Sequence, residues 1–422
     1  MVTHSKMRDL SPAYDPWCKP HRARLICLAL ALTTGANAEI LTSGYVELGA
    51  SSSSAENAWN TGGTGTLGKG DGATGEARIG FEFKSDSRFS AHLSVLARAS
   101  TETDLARKAG LLDAYFDYGN LVQDNFRIRT GLGFSGSSFE NVEDFWQTPY
   151  SLSLSALNSW IGEEFRPLGI TATRRFTRDS GTSLDFSTTI YGGNDSSAAI
   201  LAWRGFAAHD RLSVFGETLP LLALPSLRDN GGFRFQSNDG TKPFGGDLDG
   251  RPGFALRAKQ NFIGGGHISA FFTDNRGDRE LHNGEYAWHT RFGILGFDQP
   301  LGDTWTVLGE WMHGRTNMGF PPGPNVSFDF DAAYLAASRS VGLWTLTGRA
   351  EAFHINELDR SAAERNTQNG TGATLALLRN DGEWRFGFEA QYFDIRRPGN
   401  LEFSAPTQQG GAQVRVLARR YF

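Results

Sequence analysis

The chain has 422 residues and a formal net charge of −5, and it is rich in glycine (51) and phenylalanine (31). Its mean hydropathy of −0.35, with no apolar run of about 18 residues, excludes a helical membrane protein. The high glycine and aromatic content favours strands and turns. The acidic balance excludes a typical nucleic-acid binder.

The amino terminus has the order of a secretory leader. A basic stretch, KPHRAR (19–24), precedes the short apolar run LICLALAL (25–32), and ANA (36–38) follows. This order predicts a signal peptide within residues 1–38, cleaved after Ala38, with Ala36 and Ala38 as the small residues of the cleavage site. The leader contains both cysteines, so the mature chain has no thiol for a disulfide or a zinc site.

After the leader, apolar and polar residues alternate with a period of two. The pattern is clear in 75–85, 88–99, 125–134 and 383–394. These segments have about 10 to 12 residues, whereas strands of soluble proteins usually have about 5 to 6. Tilted membrane strands need about 9 to 11 residues. The segments are therefore typical of a transmembrane barrel.

Short turns alternate with long polar loops along the chain. The short turns are 85–88, 120–124, 178–181, 263–266, 299–303, 340–342 and 380–382, and the long loops are 50–73, 100–109, 135–167, 193–252, 315–326, 355–369 and 395–410. This alternation predicts an all-β fold: one antiparallel up-and-down barrel over 39–422 with about 16 strands, short periplasmic turns and long external loops.

A tryptophan follows three of the short turns, at Trp305, Trp344 and Trp384. The spacing of about 40 residues is also that of propeller blades, so a soluble periplasmic propeller is an alternative. A blade holds four short strands, however, and each repeat here holds two long ones. The tryptophans fit an aromatic girdle at the membrane surface better.

One stretch of the largest loop, 198–225, is too apolar for an exposed loop. Three interpretations remain open for it. It could add a hairpin and give 18 strands, fold inward as a plug, or contact another subunit. The loop 193–252 is therefore predicted as a large external loop or plug.

The chain ends in an alternating segment, AQVRVLARRYF (412–422). A strand that reaches the last residue, Phe422, resembles the carboxy-terminal assembly signal of Gram-negative outer-membrane barrels. The stretches 127–149, 271–279, 286–296 and 314–319 are similar to porins of the phosphate-selective O/P type. The resemblance implies a diffusion channel that is often trimeric. It also implies that the third long loop, 135–167, folds inward as a constriction.

The constriction loop carries five acidic residues: Glu140, Glu143, Asp144, Glu163 and Glu164. Facing arginines across water, they would set up a transverse field. The alternative is that the loop lies outside and contacts lipopolysaccharide.

Charged residues inside the strands are predicted to face the lumen, because Arg at the lipid midplane costs about 2 to 4 kcal/mol. The predicted pore-lining residues are Arg78, Arg98, Arg127, Arg129, Arg175, Arg257, Lys259, Arg291, Glu310, Arg349, Glu351, Arg385, Glu389 and Arg415. Rings of Arg favour anions. The alternative for each residue is a structural ion pair with a neighbouring acidic residue.

The sequence shows no recognisable Ser/His/Asp or paired-acid signature, so no catalytic residue and no cofactor are predicted. The stretches GGDLDG (245–250) and SNDG (237–240) hold oxygens that Ca²⁺ could use. They lack the twelve-residue pattern of a calcium loop, so no metal site is predicted.

The sequence therefore predicts an integral porin of the Gram-negative outer membrane, weakly anion-preferring and without enzymatic activity. Its expected partners are outer-membrane lipid and lipopolysaccharide, the barrel assembly machinery, two further copies in a homotrimer, and small hydrophilic or anionic solutes, but no nucleic acid. The alternative is a loop-displaying barrel, an adhesin or assembly partner, without an open channel.

The leader gives the first testable prediction. Mass spectrometry of the exported protein should show a mature chain that begins at Glu39, because the small-residue site ends at Ala38. A mature chain that begins at Met1 would contradict export to the outer membrane.

Overall fold

The computed structural model describes residues 38–67, 71–85, 88–101, 106–222, 224–228, 231–234, 236, 240–361 and 365–422. Residues 1–37, which include Ala36 of the predicted cleavage site, and residues 237–239 of the second acidic stretch lie outside these ranges.

Sixteen antiparallel strands of the described chain close into one barrel, in which each strand pairs with its neighbours in sequence and the last pairs with the first. The predicted barrel of 16 strands is confirmed. The strands are β1 (Ala38–Ser53), β2 (Gly72–Ser85), β3 (Phe89–Ser100), β4 (Ala109–Tyr118), β5 (Phe126–Leu132), β6 (Leu168–Thr177), β7 (Ser183–Gly192), β8 (Gly253–Asn261), β9 (His267–Asp274), β10 (His289–Leu301), β11 (Trp305–Gly319), β12 (Asn325–Val341), β13 (Trp344–Glu357), β14 (Gln368–Asp381), β15 (Trp384–Arg396) and β16 (Gln408–Tyr421).

The seven predicted short turns fall between paired strands at one end of the barrel. Long loops connect the strands at the other end, which we call the external end. The sequence analysis did not single out one of these loops, 275–288, which contains a two-residue ladder of Leu281–His282 with Glu285–Tyr286. The stretch 198–225 forms no barrel strand in its described part, so the 18-strand alternative is wrong.

Helices are short and occur in the long loops. Helix α1 (Ala156–Glu164) lies between β5 and β6, and α2 (Ala199–Arg204) lies between β7 and β8. Ser155 caps α1 by accepting a hydrogen bond from Asn158 N–H. Single 3-10 turns occur at Trp59–Thr61, Asp144–Trp146, Pro225–Leu227 and Pro398–Phe403. None of the helices in the described ranges has the length and apolar character needed to cross a bilayer.

The outer wall of the barrel is apolar over its middle. Leu335, Leu375 and Val416 point outward and are exposed, while the residues beside them in sequence are buried. Trp305 and Trp344 are also exposed, and each is the first residue of its strand next to a short turn. This arrangement fits an aromatic girdle at the short-turn surface of the membrane.

The seam between β1 and β16 explains why the last strand runs to the last residue. Tyr45 lies opposite Tyr421, and beyond this pair Phe422 and Gly44 exchange two backbone hydrogen bonds of 3.0 and 3.1 Å. A side chain at position 44 would put its Cβ 2.8 Å from the Phe422 ring and 2.5 Å from the Arg78 carbonyl oxygen. Glycine at position 44 therefore allows the terminal residue to close the ladder.

The inner wall is not polar throughout. In the external half of β12, Val326, Phe328 and Phe330 point inward and are fully buried, while Asp329 and Asp331 point outward. The inward aromatic rings form one cluster with the loops that enter the barrel. On this part of the wall the usual alternation of a barrel, apolar outside and polar inside, is reversed.

Deleting Phe422 should strongly reduce the folded, heat-modifiable form in the outer membrane, because Gly44 would lose both backbone partners at the seam. Phe422→Ala keeps these bonds and loses only the ring, so it should reduce folding less. Gel migration before and after boiling measures the folded fraction.

Leu401→Ala, which changes an exposed apolar residue in an external loop, is the matched control and should fold normally. Normal folding of the Phe422 deletion would show that the seam does not depend on the terminal residue.

Candidate functional site

The described part of the loop 135–167 lies inside the barrel and is held there by carboxylates of the wall. Glu310 of β11 accepts hydrogen bonds from Phe139 N–H (2.8 Å) and from the Asn158 side chain (2.7 Å). Glu389 of β15 accepts from the N–H groups of Leu152 (2.8 Å) and Ser153 (3.1 Å). These predicted pore-lining carboxylates therefore position the loop and do not face open water.

Arg349 of β13 lies at the centre of the contact between the loop 135–167 and the barrel wall. Its guanidinium pairs with Glu140 of the loop at 2.7 Å and with Glu351 of its own strand at 3.0 Å. It also donates to the carbonyl oxygens of Ser153 (3.0 Å) and Leu154 (3.1 Å). All three charged side chains are buried. The structure places Arg349 and Glu351 on the inner face, but beneath the loop.

An ion pair between two of the predicted residues connects the loop to β15. Arg385 binds both carboxylate oxygens of Glu143, at 2.9 and 2.7 Å. Asp144, at the start of the 3-10 turn, is exposed. The loop carboxylates are thus mostly engaged in holding the loop to the wall.

The last two acidic residues of the loop hold the second long loop, 193–252. Glu163 pairs with Arg204 at 2.8 Å and lies 3.1 Å from His209. Burial alone would raise the pKa of Glu163, but Arg204 and His209 lower it to about 2. Glu164 accepts from Trp160 Nε1 (2.6 Å) and from the Ile200 N–H of α2 (2.9 Å). Burial raises the pKa of Glu164 to about 7.

The described part of 193–252 fills the barrel beside the aromatic wall. The Phe206 ring lies 5.5 Å from Phe353 and 6.4 Å from Phe330, both inward residues of the wall. Trp203 of α2 packs edge-on against Phe233 at 5.3 Å. The described residues of this loop therefore pack against the inward aromatic side chains of the wall.

Space for water remains along the wall formed by β5 to β9. An open cavity is lined by Arg127, Arg129 and Arg257, together with Ser and Thr side chains and the start of the loop 135–167. Arg129 is paired with both oxygens of Asp117, each at 2.8 Å. Its guanidinium also lies 3.5 Å from the centre of the Tyr115 ring.

Arg127 and Arg257 differ from Arg129 because neither has a carboxylate partner among the described residues. The Nε atom of each is buried and has no hydrogen-bond acceptor there. Lys259, two residues further along β8, lies over the Phe139 ring at 5.5 Å. Arg175 on β6 is paired with Asp185 at 2.6 and 2.7 Å. Among the described residues that line this cavity, the positive charge without a carboxylate partner therefore comes from Arg127 and Arg257.

A second open cavity lies along β1 to β3, and its lining includes Glu47, Glu76, Arg98 and Asp210. The charges on this side compensate one another. Arg415 pairs with Asp210 at 2.6 Å, and Arg98 donates to the Leu212 carbonyl oxygen at 2.6 Å.

Two further pairs belong to this region. Arg78 pairs with Glu76 at 2.8 Å. Arg419 of β16 pairs with Glu47 at 2.5 Å. The inner face here is charged but close to neutral.

Arg291 is not a pore-lining residue, and this part of the sequence prediction is wrong. It is exposed on the outer wall of β10, and its neighbours Thr290 and Phe292, at 1% and 2% exposure, point inward. Phe292 packs against Trp160 of the inward loop, at 5.1 Å. The packed loops make the inner face apolar here, which turns Arg291 outward.

Sequence reasoning missed the acidic partners Asp117, Asp185, Glu47 and Glu76, as well as Arg419. The signal was available in part: Asp113 and Asp117 of β4 alternate with apolar residues, as inward residues should. Asp210 could not have been found this way, because it lies in the loop 193–252 and has no strand periodicity.

No family model matches the chain, and no curated protein matches it. Solved structures do match its fold. The outer-membrane channel DcaP of Acinetobacter baumannii matches with a TM-score of 0.57 and 12% identity, over 91% of this chain and 97% of that one. The anion-selective porin of Comamonas acidovorans matches with a TM-score of 0.50 and 9% identity, over 91% and 100%. OprB of Pseudomonas putida matches with a TM-score of 0.50 and 9% identity, over 91% and 94%. The chain thus has the fold of the outer-membrane channel barrels.

The Arg349 contact gives a prediction about stability. Arg349→Gln should lower the free energy of unfolding by about 3 to 5 kcal/mol, because it leaves Glu140 and Glu351 buried without a cation. Urea unfolding of the barrel in lipid vesicles measures the change.

The matched control is Arg379→Gln. Arg379 pairs with Asp381 at the surface, where both side chains are 42–50% exposed, and the loss should be about 0 to 1 kcal/mol. Equal losses in the two variants would contradict the structural role of Arg349.

Proposed function

We propose that the protein is a porin of the Gram-negative outer membrane through which small hydrophilic solutes diffuse passively, with a preference for anions. Three observations support a membrane channel. A secretory leader is predicted within residues 1–38, the closed barrel has an apolar outer wall, and charged cavities remain between its inner wall and its loops. Passage down a gradient needs no catalytic residue and no cofactor.

One observation carries the anion preference: Arg127 and Arg257 line a cavity without carboxylate partners in the described part of the chain. A guanidinium stays charged at every working pH. Most loop carboxylates that could offset this charge are already used, with Glu140, Glu143 and Glu163 in ion pairs. A passing anion therefore meets uncompensated positive charge in a narrow space, where bulk salt screens it poorly.

This assignment is narrower than the sequence prediction, in which Arg129, Arg291 and Arg349 also line the pore. Arg129 is neutralised by Asp117, Arg349 is buried under the loop, and Arg291 is outside. Arg127 and Arg257 remain, with Lys259 beside them.

The solute class we propose is small anions in general. The resemblance to phosphate-selective porins rests on short stretches of sequence and does not extend the proposal to phosphate. We also propose a homotrimer, insertion by the outer-membrane assembly machinery through the strand that ends at Phe422, and contact of the external end with lipopolysaccharide.

One observation favours the second candidate, a loop-displaying barrel without an open channel. The loops 135–167 and 193–252 pack tightly against the aromatic wall, so the described interior on the side of β10 to β15 is filled. Conductance in a planar bilayer separates the two functions, because a barrel that only displays loops would conduct no ions.

The reversal potential in a salt gradient tests the anion preference. The wild-type channel should prefer anions, and Arg127→Gln/Arg257→Gln should shift the potential towards cations. Removing two charges at about 10 Å in water weakens anion attraction by about 0.4 kcal/mol per charge, or roughly fourfold in total.

Arg291→Gln is the matched control, since it removes the same charge from the outer wall and should leave the reversal potential unchanged. A wild-type channel that already prefers cations would contradict the proposal.

A further inference from the structure

Three carboxylates from the two ends of the loop 193–252 meet at the external end of the barrel. Asp195 follows β7, and Asp247 and Asp249 precede β8. One oxygen atom of each lies within 4.8 Å of the others. This grouping lies in a loop, away from the arginine cavity, and it is independent of the proposed channel function.

Asp195 makes this grouping more than an acidic surface patch. The residue is only 2% exposed. Its Oδ2 accepts a 2.5 Å hydrogen bond from Leu248 N–H, but its Oδ1 is buried and has no hydrogen-bond partner among the described residues. A buried carboxylate oxygen without a partner is costly, and proteins usually supply a cation or a donor for it.

The residues around Asp195 increase the free-energy cost of burying its carboxylate. No lysine, arginine or histidine of the described chain forms an ion pair with Asp195, Asp247 or Asp249. The cluster holds several negative charges close together and lacks a positive one.

The donor atoms point to one class of ion. All three side chains offer carboxylate oxygens, the ligands of hard divalent cations, and the cluster contains no thiol or imidazole. Ca²⁺ accepts carboxylates and backbone carbonyls in irregular loop geometry, whereas Mg²⁺ demands a near-ideal octahedron and gives up its water reluctantly.

We propose that Asp195, Asp247 and Asp249 form a Ca²⁺ site that fastens the loop 193–252 at the external rim of the barrel. The sequence singled out 245–250 but predicted no metal site. It could not foresee that Asp195, from the other end of the loop, is folded against this stretch.

The hydrogen bonds around the site show what the ion would connect. Asp249 Oδ2 accepts from Asp278 N–H at 2.7 Å, and the Asp195 carbonyl oxygen accepts from Trp288 N–H at 2.6 Å. Asp278 and Trp288 both belong to the neighbouring loop 275–288. One Ca²⁺ would therefore join both ends of the plug to the next loop of the rim.

Isothermal titration of the full-length, chelator-treated barrel in detergent with CaCl₂ tests the site. Wild type should bind one Ca²⁺ per chain. Asp247→Asn/Asp249→Asn should lose at least about tenfold in affinity, because two of the three anionic ligands become neutral. Asp329→Asn/Asp331→Asn removes two outward carboxylates from β12 and should bind Ca²⁺ like wild type.

Limited proteolysis gives a second readout that does not depend on conductance. CaCl₂ should slow cleavage within 193–252 in wild type and in the Asp329/Asp331 control, but not in Asp247→Asn/Asp249→Asn. Heat-modifiable migration shows that each variant is folded. The single change Asp247→Asn, at an exposed position, serves if the double variant does not fold.

Two results would overturn the site. One is wild-type protein that binds no Ca²⁺ in the titration. The other is equal Ca²⁺ affinity in wild type and in folded Asp247→Asn/Asp249→Asn, or in the folded single variant.

Discussion

The whole structure depends on the closure of the backbone hydrogen-bond ladder. In the hydrocarbon core no water is present to satisfy a free N–H or C=O group, so a sheet that crosses a membrane must have no edge. Here the edge is removed by pairing β1 with β16, down to the two bonds between Gly44 and Phe422. A last strand that runs to the last residue follows from this requirement.

Most of the fold could be predicted from the sequence, because closure leaves strong local signals. Strands with a period of two, short turns and long loops are properties of neighbouring residues, and the sixteen-stranded barrel follows from them. The outward tryptophans and the terminal strand were likewise placed correctly. Each of these sequence patterns reflects contact of the residues with lipid or with the adjacent strand.

The candidate site could be predicted only in part, because its partners are distant in sequence. Alternation placed Arg127, Arg257 and Arg349 on the inner face. It could not show that Arg349 is buried beneath Glu140, while Arg127 has no carboxylate partner among the described residues. It failed at Arg291, where the rule that apolar residues face lipid does not hold. The loops supply a second apolar environment, inside the barrel, and a periodic pattern cannot distinguish the two environments.

The reversed alternation of β12 has a consequence for how freely the two sides of the barrel can vary. On the opposite side, the inner residues of β1 to β3 and many of those of β5 to β9 line the two cavities, so the volume of a side chain that faces a cavity is weakly constrained. Around β12 and β13, by contrast, Phe328, Phe330 and Phe353 are packed like the core of a soluble protein. In such a core, adding or removing a single methylene group changes the stability. Among natural variants of this chain, the aromatic part of the wall and the loop segment around Phe206 should change in sequence together. The charged residues that line the cavities can change independently and alter the permeability without disturbing the fold.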